Sequence, residues 1–349
     1  MQTTSRPCYM CNETDNPIVA SEPVEYRFNR PLLPEGVYRF ARCRRCSTLY
    51  VDSSVTDDYL IGIYANETVE SAKDAAGGVD HTQMLSRRLP EFERHWARMK
   101  QFRPPRPGDQ LLDVGSQTGD FGALAQQDGV QPHGVELSSS YAEFCRERWG
   151  KGSQVHWGPL TDAPFKSAQF QYITSFETLE HMCDPVDALC RLRPWLAPDG
   201  LMALSVPSSD YFHFKFWLLR RSPLTPVAKR IFERRLEFYK KQVLPRTHIY
   251  NFSHGSVRLL LERGGFHPVF LELTGWHDRV GSVVGVFGRM LEEVSGSRIG
   301  MVPSLFVIGE PAPLAAWAKP GADGQTVGWA VAGPHYDLEG WETRQFSSS

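Results

Sequence analysis

No stretch of this chain approaches the roughly 20 consecutive apolar residues that a bilayer-spanning helix requires, so a membrane role is not expected. The first residues, Met1 to Cys8, are polar and hold no apolar run of the kind a secretory leader carries, so the expected compartment is the cytoplasm. An excess of charge of one sign is also missing. The 349 residues carry 38 Lys and Arg against 40 Asp and Glu, a formal net charge of −2. Bulk electrostatics therefore gives no reason to expect a nucleic-acid partner. No internal repeat is present, and cysteine is sparse, seven in all. In a reducing compartment a disulfide framework is not expected. What is there is an ordinary globular composition, 41% hydrophobic and 22% charged, enough for one large domain plus a small one.

The cysteines are unevenly placed. Cys145, Cys183 and Cys190 fall singly in apolar stretches and read as small core residues. Cys8-x-x-Cys11 and Cys43-x-x-Cys46 form two pairs separated by 31 residues. Two such thiolate pairs can close a tetrahedral zinc site, and the long interval implies an inserted hairpin. Four sulfurs leave no open position on the metal, so Zn2+ held by Cys8, Cys11, Cys43 and Cys46 is expected to be structural.

Organisation follows from composition and periodicity. Residues 1–65, with short β-like runs at 37–40 and 48–51, read as the zinc-binding module. Residues 66–108 read as a linker with a helix at 83–101, ended by Arg103-Pro104-Pro105-Arg106-Pro107-Gly108. From 109 to 310 strand and helix patterns alternate, the signature of an α/β, doubly wound, mostly parallel sheet. Strands are predicted at 110–114, 132–136, 154–157, 170–175, 201–206, 266–274 and 304–310. Helices are predicted at about 119–128, 138–149, 185–196, 253–263 and 280–294. Asp184 is the N-cap of the third helix, with Pro185 at its first position, and Ser253 caps the fourth. Residues 210–245, aromatic and basic, are too long for a simple connection and read as a lid or an interface insert. An irregular tail is expected over 311–349.

The strongest local signal is Leu111-Leu112-Asp113-Val114-Gly115-Ser116-Gln117-Thr118-Gly119-Asp120-Phe121. A buried strand enters a turn where Gly115 and Gly119 let the backbone approach a ligand closely, and a helix follows. Glu136 ends the second strand, 21 residues beyond Gly115, where a carboxylate can accept hydrogen bonds from both ribose hydroxyls of a nucleoside. A nicotinamide fold would give similar spacing. The further course of the chain resembles the class I S-adenosylmethionine (SAM)-dependent methyltransferases, from about 90 to 275. The Asp113–Phe121 stretch resembles the family's first loop, Glu136 its ribose-binding acid, and Gly158–Phe165 its adenine loop. Leu179-Glu180-His181-Met182-Cys183-Asp184-Pro185 resembles the turn after its fourth strand. The resemblance implies a Rossmann-like seven-stranded sheet. It also implies a SAM site formed by Asp113, Gly115, Ser116, Gln117, Gly119, Phe121, Glu136, Leu137, Pro159, Leu160, Phe176 and Glu177. One departure stands out: the family usually has Gly where this chain has Gln117. The four-cysteine segment is similar to that of methyltransferases in sugar and natural-product pathways.

Methyl transfer to oxygen or carbon needs a proton removed, and histidine suits neutral pH best. His181 and His248, with Glu180, are the catalytic candidates. Glu177, Glu180 and His181 stand at i, i+3 and i+4, so one helical turn would put them on one face. With His248 they would also make a divalent-ion site able to lower the pKa of an acceptor hydroxyl. The leading expectation is methyl transfer to an oxygen or carbon of a small-molecule acceptor, a sugar or secondary metabolite, by a monomer or homodimer. The alternatives are a metal-assisted O-methyltransferase of an RNA end or quinone-like acceptor, and a non-catalytic SAM-binding or zinc scaffold protein.

Overall fold

The structure is a computed structural model that describes residues 4, 6–23, 26–27, 30–31, 37–52, 57–65, 81–210, 248–274 and 304–313. Apart from Asp210, the expected insert at 210–245 lies outside the described residues. So do the helix expected at about 280–294 and the tail beyond 313.

The N-terminal region supplies β1 (Ile18–Pro23), β2 (Tyr26–Arg27), β3 (Arg30–Pro31), β4 (Val37–Arg42), β5 (Leu49–Val51) and helix α1 (Asp57–Tyr64). Helix α2 (His81–Phe102) precedes the alternating series of β6 (Gln110–Val114), α3 (Asp120–Gln126), β7 (Gln131–Glu136), α4 (Ser139–Trp149) and β8 (Val155–Trp157). Then come β9 (Phe170–Phe176), α5 (Pro185–Leu192) and β10 (Leu196–Pro207). The last elements are β11 (Tyr250–Asn251), α6 (His254–Arg263), β12 (Phe266–Thr274) and β13 (Ser304–Pro311).

Several helix starts have the chemistry their sequences announce. Ser138 Oγ accepts from Tyr141 N ahead of α4, and Asp184 Oδ1 accepts from Val186 N and Asp187 N ahead of α5. Ser253 and Ser256 bond each other's backbone in a capping box at α6. Each such cap satisfies helix N–H groups that would otherwise lack a partner.

Seven strands form one sheet in the order β12-β13-β10-β9-β6-β7-β8. The pairs β10–β9, β9–β6, β6–β7 and β7–β8 are parallel. Only β13 runs antiparallel to its neighbours β10 and β12. The chain winds outward from β6 to β8, then returns to place β9 on the other side of β6. Between β6 and β9 the winding direction reverses, which is where open α/β sheets bind ligands at the strands' carboxyl ends.

Successive residues serve opposite faces: Leu111, Tyr172, Ala203 and Phe306 join one apolar cluster, and Leu112, Ile173, Leu204 and Val307 another. Strand β10 begins five residues before the expected Leu201. Leu196 still pairs with Phe170, and the Pro198–Gly200 turn is absorbed as a register shift before pairing resumes at Leu201.

A second sheet, β1-β4-β5-β11, joins the N-terminal region to a strand from the other end of the described chain. Tyr250 pairs with Tyr50 and Asn251 with Leu49. The join has no apolar gap. Cys8, Met10, Phe40, Cys43 and Tyr50 belong to the same buried cluster as Leu112, Val114 and Leu204. Fully burying a large apolar side chain contributes about 1.5–3 kcal/mol, so this shared cluster ties the two regions firmly.

Candidate functional site

The loop after β6 is built on three left-handed residues. Gly115 has φ +77°, and a Cβ there would overlap the Thr178 side chain. Gly119 has φ +68°, and a Cβ there would lie 2.9 Å from the Trp149 ring. Gln117, at φ +44°, adopts a conformation that favours glycine, which gives a physical reason for the family's usual residue at this place. Its side chain turns to α2, where Gln117 Oε1 accepts from Arg88 Nη1 at 2.7 Å.

Glu136, buried at the end of β7, buckles this loop to the next. Its Oε2 accepts from Gln117 N at 2.8 Å and its Oε1 from Ser138 N at 3.0 Å. Asp113 is buried and accepts from Thr174 Oγ1 at 2.8 Å. Burial, opposed in part by that bond, pushes its carboxyl up to about 7.

Between α2 and the strand ends lies a cleft open to solvent. Its walls include Arg88, Phe92 and His95 from α2, and Asp113, Gly115, Ser116, Gln117, Phe121, Phe176 and Glu177 opposite. Phe121 and Phe176 meet edge to face at 4.8 Å. Gly119, Glu136, Leu137, Pro159 and Leu160 stand outside this lining. Leu137 O accepts from Trp157 Nε1 at 3.0 Å, and Pro159 precedes the 3-10 turn Leu160–Asp162 that follows β8.

The turn after β9 separates residues that sequence spacing put together. Glu177 has φ +49°, and its Oε1 accepts from Ser205 Oγ at 2.6 Å, so it faces β10 and the cleft. Residues Leu179–His181 form a single 3-10 turn rather than an α-helical one. Glu177 therefore does not join Glu180 and His181 on one face. The ligand-bearing atoms of Glu180, His181 and His248 do converge, all within 4.8 Å of one another. Each imidazole Nε2 is 3.7 Å from Glu180 Oε1, and the two rings meet edge to face at 4.7 Å.

Glu180 is fully buried, and neither of its carboxylate oxygens has a hydrogen-bond partner among the described residues. Burial, reinforced by the nearby Glu177 charge, holds its carboxyl well above the usual range. Tyr64 from α1 pairs its hydroxyl with His181 Nδ1 at 2.8 Å. Ile249 N donates to Glu180 O at 2.8 Å, which docks the His248 segment on the turn. Sequence reasoning missed Tyr64 and Arg88. Neither carries a motif, and only the packing of α1 and α2 brings them to the site.

The four N-terminal cysteines also converge, with all four Sγ within 4.8 Å of one another. Cys8 and Cys46 are 3.6 Å apart and Cys11 and Cys43 3.3 Å apart, and none is in a disulfide. This centre touches the His248 segment directly. Val51 N donates to Ile249 O at 2.9 Å, Ser253 Oγ donates to Cys46 O, and Ser209 Oγ donates to Ser47 O at 3.1 Å.

Seven strands with one antiparallel member, a glycine-bearing loop after β6 and an acid ending β7 make up a Rossmann-like fold of the class I methyltransferase type. Residues 86–270, more than half of the chain, match the family profile described as a methyltransferase domain, and the chain belongs to that family. It is 26% identical over 209 residues to phosphoethanolamine N-methyltransferase 2 of Caenorhabditis elegans, across 53% of this chain and 47% of that protein. It is 31% identical over 115 residues to the O-methyltransferase cnsE of Penicillium expansum, across 31% of this chain and 41% of that one. The chain thus spans less than half the length of these two relatives. A similar solved structure is the Haemonchus contortus phosphoethanolamine N-methyltransferase 2 with phosphomonomethylethanolamine and S-adenosylhomocysteine. It has 17% identity and a TM-score of 0.41, and covers 63% of this chain and 53% of that one. No helix among the described residues is long and apolar enough to cross a membrane.

Proposed function

We propose that the chain transfers the methyl group of SAM to an oxygen or carbon of a small molecule, a sugar or secondary metabolite, and that Glu180, His181 and His248 act on the acceptor. The observation that carries this reading is the convergence of those three side chains on a turn whose Thr178 packs against Gly115 of the SAM loop. The near balance of charge, −2 overall, favours a small acceptor over an RNA end.

The residues at the strand ends fit SAM. The cradle at Gly115 stays open only without a Cβ, and Glu136 keeps a fixed carboxylate suited to ribose hydroxyls. Ser116, Gly119 and Phe121 shape the loop, Leu137, Pro159 and Leu160 flank the adenine, and Phe176 and Glu177 wall the methionine end. Arg88, held on Gln117, is the cation that suits the methionine carboxylate.

SAM, when bound, supplies a methyl carbon on a positively charged sulfur. That carbon would pass to the acceptor's electron pair, with S-adenosylhomocysteine as the leaving group. The acceptor proton is removed at the Glu180–His181–His248 cluster. Alignment of the two reacting atoms is the main contribution such a site makes.

The four cysteines fit structural zinc. A tetrahedral ion with Zn–S bonds of about 2.3 Å sets sulfurs roughly 3.8 Å apart, close to the observed 3.6 Å and 3.3 Å. The proposed domains are a zinc module at 1–65, a helical linker at 66–108, the methyltransferase domain at 109–310 with its insert at 210–245, and a tail at 311–349. The chain works as a monomer or homodimer.

The test is calorimetric titration with SAM, followed by transfer of labelled methyl to a panel of sugars, phenols and other hydroxylated metabolites. Saturable SAM binding and an acceptor-dependent labelled product are expected. SAM binding without any labelled small molecule would overturn the acceptor class.

A further inference from the structure

We infer that Glu180, His181 and His248 bind one divalent transition-metal ion, separate from the four-cysteine centre. The inference rests on reading this cluster as the acceptor side of the site, and it specifies what the cluster holds.

The first observation is an unanswered carboxylate. Glu180 has no exposed surface and neither oxygen is hydrogen-bonded among the described residues. A buried carboxylate without compensation is costly, and the two imidazole Nε2 atoms stand beside it without closing to a hydrogen bond. The second is spacing. Both Nε2 atoms stand 3.7 Å from the same Oε1. A carboxylate–imidazole hydrogen bond would close to about 2.8 Å. Two ligands of one ion, each about 2.0–2.2 Å from it, lie roughly 3.0–3.5 Å apart, so a few tenths of an ångström of contraction would seat an ion. The third is orientation. Tyr64 takes His181 Nδ1 at 2.8 Å, which turns Nε2 toward Glu180, and such partners to the second ring nitrogen commonly fix metal-ligating imidazoles. The bond from Ile249 N to Glu180 O holds the two ligand-bearing segments in register.

The donor set gives the metal class. Two imidazoles and one carboxylate suit Mn2+, Fe2+, Co2+ or Zn2+ better than Mg2+ or Ca2+, which prefer all-oxygen shells. Three protein ligands leave coordination positions open. The His181 and His248 side chains keep 19% and 16% exposure, so the cluster can be reached from solvent. The four-cysteine centre has no such opening. An ion here selects an acceptor that offers an oxygen, because a bound divalent ion lowers the pKa of a hydroxyl it contacts. Methyl transfer would then go to oxygen rather than carbon.

The experiment uses the full chain with its zinc content measured. Chelator-treated, zinc-retaining protein is titrated with Mn2+, followed by the loss of the free-ion paramagnetic resonance signal, and with Co2+, followed by visible absorption. One saturable ion per chain is expected. Glu180→Gln and His248→Ala should each weaken it by at least about 100-fold, and Tyr64→Phe by about 10-fold, as expected for ligands and an outer-shell partner. S-adenosylhomocysteine affinity, measured in parallel, reports that each variant is folded. If Glu180→Gln loses that affinity, His248→Ala decides. No saturable Mn2+ or Co2+ binding, or equal affinity in wild type and folded variants, overturns the inference. If the ion is absent and Glu180→Gln still abolishes labelled methyl transfer, the metal falls and the acceptor-side reading stands. If the ion binds and transfer is untouched in Glu180→Gln, the acceptor-side reading falls and the ion site stands.

Discussion

The four sulfurs of the N-terminal sheet come from two local turns, Cys8-x-x-Cys11 and Cys43-x-x-Cys46, and close on one another with no position left over. Glu180 and His248 stand 68 positions apart in sequence, and they meet where Ile249 N donates to Glu180 O. The four sulfurs face one another, as the proposed structural zinc would need. The other cluster is buried at Glu180 and partly exposed at His181 and His248, as the proposed acceptor side would need. The two regions are nonetheless one construction. The backbone of β5, just beyond Cys46, pairs with the strand that follows His248, and the cysteine loops take hydrogen bonds from Ser209 and Ser253. The comparison teaches that the four-cysteine region packs directly beside the Glu180–His181–His248 cluster.

The largest effect should come from Cys43→Ser. Structural zinc in small modules contributes on the order of 10 kcal/mol of folding free energy, and part of that is lost with the fourth sulfur. Zinc content should fall below one per chain, the N-terminal sheet should become protease-sensitive, and Mn2+ affinity at Glu180–His181–His248 should fall with it. Loss of zinc with Mn2+ binding intact would show the two regions to be independent.

Asp113 tests the methyltransferase sheet alone. Its carboxyl, raised from 3.8 to about 7 by burial, keeps a proton in the fold that the unfolded chain has released. The folded state binds more protons at Asp113 over that window, so this group's contribution to stability is fully present below about pH 4 and is lost as pH rises to 7. The loss is about 4 kcal/mol across the interval. Urea melts at pH 5 and pH 7.5 should differ in that direction, and Asp113→Asn should flatten the difference while zinc content stays constant. A slope unchanged by the substitution would assign the effect elsewhere.

Glu136→Ala removes the acceptor of two backbone N–H groups and the proposed ribose contact. Hydrogen bonds to a charged group are worth about 1.5–3 kcal/mol, so SAM affinity should drop about 10- to 100-fold by calorimetry, again with zinc retained. Unaltered affinity would remove Glu136 from the SAM site. The smallest change expected is Ser253→Ala at the seam. It deletes a helix cap worth about 1 kcal/mol and the bond to Cys46 O. Equilibrium unfolding should therefore show slightly more than the cap alone, and a smaller loss would mean that the seam bond adds nothing.

Much of this fold is legible in the sequence. The strands at 110–114 and 266–274 and the caps Asp184 and Ser253 follow from periodicity and local hydrogen-bonding chemistry, which act over a few residues. Three things were not readable. Glu177 sits at i−3 from Glu180, yet its left-handed backbone and its bond to Ser205 turn it into the cleft, because the chain must bend sharply to leave β9. Tyr64 reaches His181 across more than a hundred residues. Tyr250–Asn251 is too short to be read as a strand and is one only because β5 offers it an edge.

The sequence alone determined the alternating α/β order, the paired cysteines, the glycine loop and the acid 21 residues beyond it, since each depends on spacing along the chain. Tertiary structure alone decided which of the acidic residues after β9 meets the two histidines, how Gln117 is held by Arg88, and that the cysteine module borders the site. Those outcomes depend on which surfaces pack together, and burying Glu180 between two imidazoles is a property of that packing rather than of any local run of residues.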